Sequence, residues 1–158
     1  MSNPYQPPVA VLTEGAPPPK AAPVKAVIYG VLVDLGGTII AGLILVAIRT
    51  TILVMRGADP ELIGATTTLN DPTSMLSLIG FAIGFAFSFL GGYVCARVAR
   101  RAERKCSAVA ATISTVCGLA LGGQADATWF DALLGGLSFG MVMLGGHLGA
   151  LRNARVSR

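Results

Sequence analysis

Three ionisable residues in apolar surroundings are the positions best suited to chemistry in this chain. Asp34 lies nine residues after Lys25, and His147 lies five residues before Arg152. In helices, at 1.5 Å per residue, these separations are about 13 Å and about 7 Å. Arg97, the third, ends another apolar run. A charged side chain among apolar helices costs several kcal/mol unless it is paired or hydrated, so each is a candidate functional residue.

Two kinds of role fit these residues. In a proton- or ion-coupled pathway, Asp34 carries the proton and His147 relays it. In a structural role, Asp34 pairs with Arg97 or His147 and fixes the helix register, or it is protonated and hydrogen-bonded to a neighbouring helix. Transport pathways typically use broken helices, whereas no long apolar run here contains a proline. The sequence therefore favours the structural role.

Catalytic and cofactor-binding patterns are not recognisable in the sequence. The chain has one histidine, and its three cysteines, Cys95, Cys106 and Cys117, do not follow metal-ligand spacing. We find no glycine-rich phosphate loop and no nucleophile with a base at a recognisable spacing. The sequence therefore predicts a non-enzymatic protein with free thiols, without a catalytic residue, a metal or a cofactor.

The composition indicates where such a chain resides. Of its 158 residues, 53% are hydrophobic and 13% charged, 20 are glycine, and the mean hydropathy is +0.69. Soluble domains contain about 25% charged residues and about 7% glycine. The composition excludes a soluble enzyme, a disordered protein and a nucleic-acid-binding module. It predicts an integral membrane protein.

Four apolar runs predict an all-α integral membrane four-helix bundle. A membrane-spanning helix needs about 20 mostly apolar residues, and the predicted spans cover about 26–48, 75–96, 106–121 and 132–151. The third span is the weakest because hydroxyl side chains interrupt it. Residues 25–158 form the membrane domain. Residues 1–24 contain seven of the nine prolines and are predicted to form a disordered cytoplasmic leader.

The basic residues predict the direction of the spans. Ten of the 12 lysines and arginines fall on the side that holds the leader, the loop 97–105 and the C-terminus, and only Arg49 and Arg56 fall on the other. The positive-inside rule then places both termini in the cytoplasm. The same rule assigns a group of basic residues to topology and to anionic lipid head groups rather than to nucleic acid: Arg100, Arg101, Arg104, Lys105, Arg152 and Arg155.

Small residues recur at four-residue spacing along the predicted spans. Such residues let helix backbones approach closely in a membrane. The pattern predicts a tight bundle, self-association or both, and hence a structural, accessory or regulatory protein whose partner is a second copy or another membrane protein. The predicted packing residues are Gly80, Gly84, Ser88, Gly92, Gly118, Gly122, Gly136, Gly140, Gly145 and Gly149.

Two helix ends are similar to each other. Residues 90–96 read LGGYVCA and residues 144–150 read LGGHLGA, and arginines follow both. The similarity has two explanations: an internal repeat of two helical hairpins, or two helix ends that meet at the same interface.

The first of these endings also carries a resemblance to known proteins. The run Gly91-Gly92-Tyr93-Val94-Cys95-Ala96-Arg97 resembles the GGYxxAR helix ending of small, uncharacterised four-span proteins of the bacterial inner membrane. The opening Asn3-Pro4-Tyr5-Gln6-Pro7 is similar to their NPYxxP leaders. The resemblance implies a bacterial inner membrane and a compact helical fold, and it implies no activity.

Overall fold

The computed structural model describes residues 22–58, 75–99, 102–122 and 129–156. These residues are almost entirely helical and contain no strand. The elements are α1 (Pro23–Val31), a π-helical turn (Leu32–Gly36), α2 (Gly37–Met55), α3 (Met75–Ala99), α4 (Glu103–Gly122) and α5 (Trp129–Val156). The first three run as one continuous helix, Pro23–Met55, here named the first helix.

Both ends of the first helix have a local cause. It begins at Pro23, where the missing backbone N–H would have no helical partner in any case. It ends at Met55, and Gly57 follows with φ +72°. The Ala58 N–H donates to the Leu53 carbonyl at 3.1 Å, as in a Schellman motif. The helix thus begins within the predicted leader and continues seven residues beyond the predicted span.

The other three helices each contain one predicted span and extend beyond it. α3 continues to Ala99, α4 begins at Glu103, and α5 runs from Trp129 to Val156. The added residues include charged side chains, which end an apolar run without ending a helix. Residues 1–21 of the predicted disordered leader (1–24) lie outside the described residues, as do Arg100 and Arg101.

Side-chain contacts show that the first helix and α3 are antiparallel. Asp34 bonds to Ser88, whereas Leu45, further along the first helix, lies beside Gly80, earlier in α3. α4 and α5 are also antiparallel, because Glu103 at the start of α4 bonds to Asn153 near the end of α5.

α3 and α5, in contrast, run parallel. The Phe81 and Phe130 rings meet at 6.0 Å near the two helix starts, and the Ala96 carbonyl accepts a bond from Asn153 near the two ends. The bundle therefore alternates in direction from helix to helix. The start of α1, the end of α3, the start of α4 and the end of α5 share one end, here named the basic end, whose described basic residues are Lys25, Arg97, Arg104, Lys105, Arg152 and Arg155.

The most extensive helix contact joins α3 and α5, and α3 is the centre of the bundle. α1 packs against both α3 and α4. Within the described part of the chain, α2 packs against α3 alone, apart from the adjoining turns of its own helix, and has no buried residue. The first helix is thus anchored at the basic end and little covered at the other.

Among the described residues, three helices are long and apolar enough to cross a membrane: the first helix, α3 and α5. α4 is not one of them. It begins with Glu103, Arg104 and Lys105, and four hydroxyl-bearing residues follow.

Candidate functional site

A buried carboxylate links three helices near the middle of the bundle. Asp34, on the π-helical turn, is 4% exposed. The Ser88 hydroxyl donates to Asp34 Oδ1 at 2.8 Å, and Ser88 Oγ also lies 2.8 Å from Ser138 Oγ. A hydroxyl has a single hydrogen to donate, so Ser138 is the donor to Ser88. The hydrogen bonds run from α5 through α3 to the carboxylate on the first helix.

Glycine makes the close approach around this carboxylate possible. A Cβ atom on Gly91 would lie 2.8 Å from Asp34 Cβ and 2.6 Å from the Gly30 carbonyl oxygen. A Cβ atom on Gly30 would lie 2.8 Å from Cys95 Cβ. Gly30 and Gly91, absent from our predicted packing set, therefore allow α1 and α3 to meet. In the sequence, the signal for this contact is the adjacent pair Gly91 and Gly92. Successive residues of a helix point in different directions, so two adjacent glycines allow close contact with two different helices.

The predicted pairing of Asp34 with Arg97 or His147 is not what the structure shows. The partner of Asp34 is Ser88, while Arg97 Nη1 donates to Asn153 Oδ1 at 3.4 Å. Arg97 lies nine residues beyond Ser88 on α3, which is about 13 Å along the helix. The observed arrangement is the hydrogen bond to a neighbouring helix. Sequence reasoning missed Ser138, a lone hydroxyl in an apolar stretch of α5.

His147 is separated from this network. It is exposed on α5 and lines a groove at the basic end with Arg104 and Lys105. Nine residues, or about 13 Å of helix, separate it from Ser138. The structure therefore places Asp34 and His147 at different levels of the bundle.

Glycines form the interface between α3 and α5. A Cβ atom on Gly92 would meet the Val142 carbonyl oxygen, one on Gly145 would meet the Phe89 carbonyl oxygen, and one on Gly149 would lie 2.8 Å from Ala96 Cβ. Close backbone approach of this kind requires residues without side chains. The similar segments 90–96 and 144–150 both lie at this interface, in agreement with the second explanation for their similarity.

The remaining predicted packing glycines are less closely surrounded. Cβ atoms on Gly80 and Gly84 would make ordinary contacts with Leu45 and Thr38, at 3.7 and 3.9 Å. At three other positions no described atom lies within 4 Å of an added Cβ: Gly118, Gly136 and Gly140. The surroundings of Gly122 lie outside the described side chains. Only part of the predicted small-residue pattern is therefore used within the chain.

Polar side chains connect three helices at the basic end. Asn153 Nδ2 donates to the Ala96 carbonyl at 3.0 Å and to Glu103 Oε1 at 2.7 Å. Arg152 Nη1 donates to the Tyr93 hydroxyl at 3.0 Å. These bonds join the end of α3 to the start of α4 and the end of α5. The sequence analysis did not identify Asn153, Glu103 or Tyr93 as linking residues.

Two of the cysteines lie in a small apolar core beside these polar links. Cys95 and Cys106 are buried together with Ala26, Ala99 and Ala110, and all three cysteines are free thiols. Among the described residues, no group of three or more histidine, cysteine or acidic side chains is arranged to hold a metal. The two cysteines act here as small packing residues.

The chain matches no protein-family model, no curated protein and no solved structure. The resemblance to small four-span inner-membrane proteins therefore remains a prediction. Of its two motifs, the leader lies outside the described residues. The helix ending contributes Tyr93 and Arg97, which bond to Arg152 and Asn153 at the basic end.

Proposed function

We propose that this protein is a non-enzymatic component of the bacterial inner membrane, acting as a structural or accessory subunit that associates with another membrane protein or with further copies of itself. In this proposal all four helices cross the bilayer, including α4, which is less apolar than the other three, and both termini are cytoplasmic. The alternating helix directions support this topology, because they gather six described basic residues at one end and such residues mark the cytoplasmic side.

The groove between α2 and α3 is the observation that carries the accessory role. It has a volume of about 200 Å³, and its lining includes Gly80, Gly84, Gly42 and Leu45. α2 borders it without burying a single residue of its own. Small residues beside an exposed apolar helix are what a further membrane helix packs against. The groove is therefore the proposed association surface.

The Gly80→Leu variant tests this surface. The added isobutyl group would fill the groove. It would not clash within the chain, because the nearest described atom to a Cβ at this position is the flexible end of Leu45, at 3.7 Å. We expect the variant to fold and to lose its partner. The measurement is gentle extraction of a tagged full chain from native membranes, followed by sizing and mass spectrometry.

Gly118→Leu is the matched control, because it adds the same side chain to a glycine in open space on α4. We expect it to keep the wild-type partner or oligomer. A wild-type protein that elutes as a monomer without a stoichiometric partner would contradict the accessory role. So would a Gly80→Leu protein that retains its partner.

The hydrogen-bonded chain on Asp34 favours one alternative, a small proton- or ion-coupled transporter or channel. Ser138 and Ser88 lead to the carboxylate, and π-helical turns are frequent at functional sites. In this role Asp34 takes up the proton, and His147 relays it at the basic end. The burial of Asp34 and its hydrogen bond to Ser88, which in turn bonds to Ser138 on α5, support instead a role in fixing helix register.

Asp34→Asn separates the two roles. The amide oxygen still accepts the Ser88 hydrogen bond, but the side chain no longer exchanges a proton. We expect parent and variant proteins in liposomes to show the same proton flux, equal to that of empty liposomes. A flux present in the parent and lost in the variant would reject the structural role and establish the pathway.

A further inference from the structure

A groove at the basic end is separate from both the Asp34 network and the α2–α3 groove. It has a volume of about 470 Å³ and lies between the first turn of α4 and the last turns of α5. Its lining residues are Ala102, Glu103, Arg104, Lys105, His147, Ala150, Leu151 and Ala154. One side is thus polar and charged, and the other is largely apolar.

The polar side of this groove favours an anion. Arg104 and Lys105 are exposed, and His147 adds a ring with one or two N–H donors. The single acidic residue of the lining, Glu103, already accepts a hydrogen bond from Asn153 at 2.7 Å. Arginine and lysine bind phosphate groups by charge-assisted hydrogen bonds.

The apolar side continues along α5 away from the basic end. At 100° per residue, Gly136 and Gly140 lie within about 20° of His147 around the helix axis. No described atom lies within 4 Å of an added Cβ at either glycine. Leu144 and Leu151, on the same side of α5, are 50% and 47% exposed. This open apolar face of α5, which contains two residues without side chains, adjoins the charged groove and is here named the trough.

We propose that the groove binds the phosphate of an anionic phospholipid from the surrounding membrane, with one acyl chain lying along the Gly136–Gly140 face of α5. This inference rests on the membrane location proposed above. A charged groove that opens onto a trough along an apolar helix matches a ligand in which a phosphate adjoins a long hydrocarbon chain. In this arrangement Arg104, Lys105 and His147 contact the head group, and the trough takes the chain.

Lipid retention by the full-length protein tests the proposal. Cell fractionation first establishes that the chain is in the membrane; recovery in the soluble fraction would reject the location itself. The protein is then reconstituted in nanodiscs of phosphatidylcholine with phosphatidylglycerol, and bound lipids are counted by native mass spectrometry. We expect the wild type to retain phosphatidylglycerol preferentially and the double variant Arg104→Ala/Lys105→Ala to lose roughly 30-fold in this preference.

Two further variants distinguish a site from general attraction to an anionic surface. Lys25→Ala removes a positive charge from an exposed position of the basic end, on α1, outside the groove lining, and we expect it to retain lipid as the wild type does. His147→Leu leaves every lysine and arginine in place, and we expect it to lose retention. Gly140→Leu fills the trough and should also lose it, while Gly42→Leu on α2 should not.

Two results would overturn the proposed lipid site. A chain found in the membrane that shows no preference for phosphatidylglycerol overturns the lipid site and leaves the membrane location standing. Equal losses in Lys25→Ala and in each groove variant also overturn it, since they indicate a diffuse surface potential. Circular dichroism of every variant shows that the helices are intact, so that a loss reports binding.

Discussion

Gly92→Ala is expected to destabilise the protein by about 3 kcal/mol or more. The added Cβ would collide with the backbone carbonyl of Val142, and a carbonyl held in a helix has no rotamer by which to move away. The α3 and α5 backbones must separate, and overpacking of this kind typically costs about 1–3 kcal/mol, occasionally more. The measurement is the free energy of unfolding in detergent micelles.

Gly118→Ala provides the control for this prediction. It makes the same substitution within a helix, but no described atom lies within 4 Å of the added Cβ. Alanine is better than glycine in a helix by about 1 kcal/mol, so this variant should be as stable as the wild type or slightly more stable. Equal stability of the two variants would show that α3 and α5 do not make the close contact described above.

Ser88→Ala is expected to lower the free energy of unfolding by about 2 kcal/mol. The substitution removes the hydroxyl that donates to Asp34 and leaves the Ser138 hydroxyl without its acceptor. A buried polar group that loses its partner costs about 1–3 kcal/mol, and a charged group costs more. The measurement is again unfolding in micelles.

A double-mutant cycle assigns this loss to the hydrogen bond. In an Asp34→Ala background, the cost of Ser88→Ala should fall by about 1 kcal/mol or more, since coupled residues are not additive. Thr51→Ala is the control, because the Thr51 hydroxyl bonds at 2.8 Å to the Ala47 carbonyl of its own helix. It should be nearly neutral. Equal costs of Ser88→Ala in both backgrounds would show that the two residues do not interact.

The two predictions concern different kinds of contact, a close backbone approach at Gly92 and the hydrogen bonds of Ser88, and both contacts hold the helices together. The Gly92 contact brings α3 against α5, and the Ser88 hydroxyl then lies within reach of Asp34 on one side and Ser138 on the other. Two successive hydrogen bonds that link three helices form only where the helix backbones are already close. The polar network therefore depends on the glycine interface, and loss of that interface should weaken both.

How far the site was predictable depends on the type of residue. Asp34 was identified because a carboxylate in an apolar run is conspicuous by itself. Its partner, Ser88, was not identified as such, because serine is common in apolar helices and the sequence does not indicate which neighbouring helix a serine faces. Arg97 and His147 were plausible partners by charge and by approximate depth. The structure instead places Arg97 beside Asn153 and His147 on an exposed groove.

The sequence by itself determined the helices, their approximate bounds and the collection of basic residues at one end. The helices follow from composition, whereas the helix start at Pro23 and the helix end before Gly57 are local backbone preferences that our predicted span, 26–48, did not include. Each depends on residues that are near one another in the chain. A short window of sequence therefore contains the information they require.

Only the tertiary structure decided which small residues are used and which side chain satisfies Asp34. Gly136 and Gly140 form one four-residue pair on α5 and Gly145 and Gly149 form another, on the opposite face because five residues separate Gly140 from Gly145; the structure buries the second pair and leaves the first open. Helical periodicity shows which residues share a face of a helix, but it does not show which other helix covers that face. The rotation of each helix is set by contacts with all the others at once, which no single stretch of sequence contains.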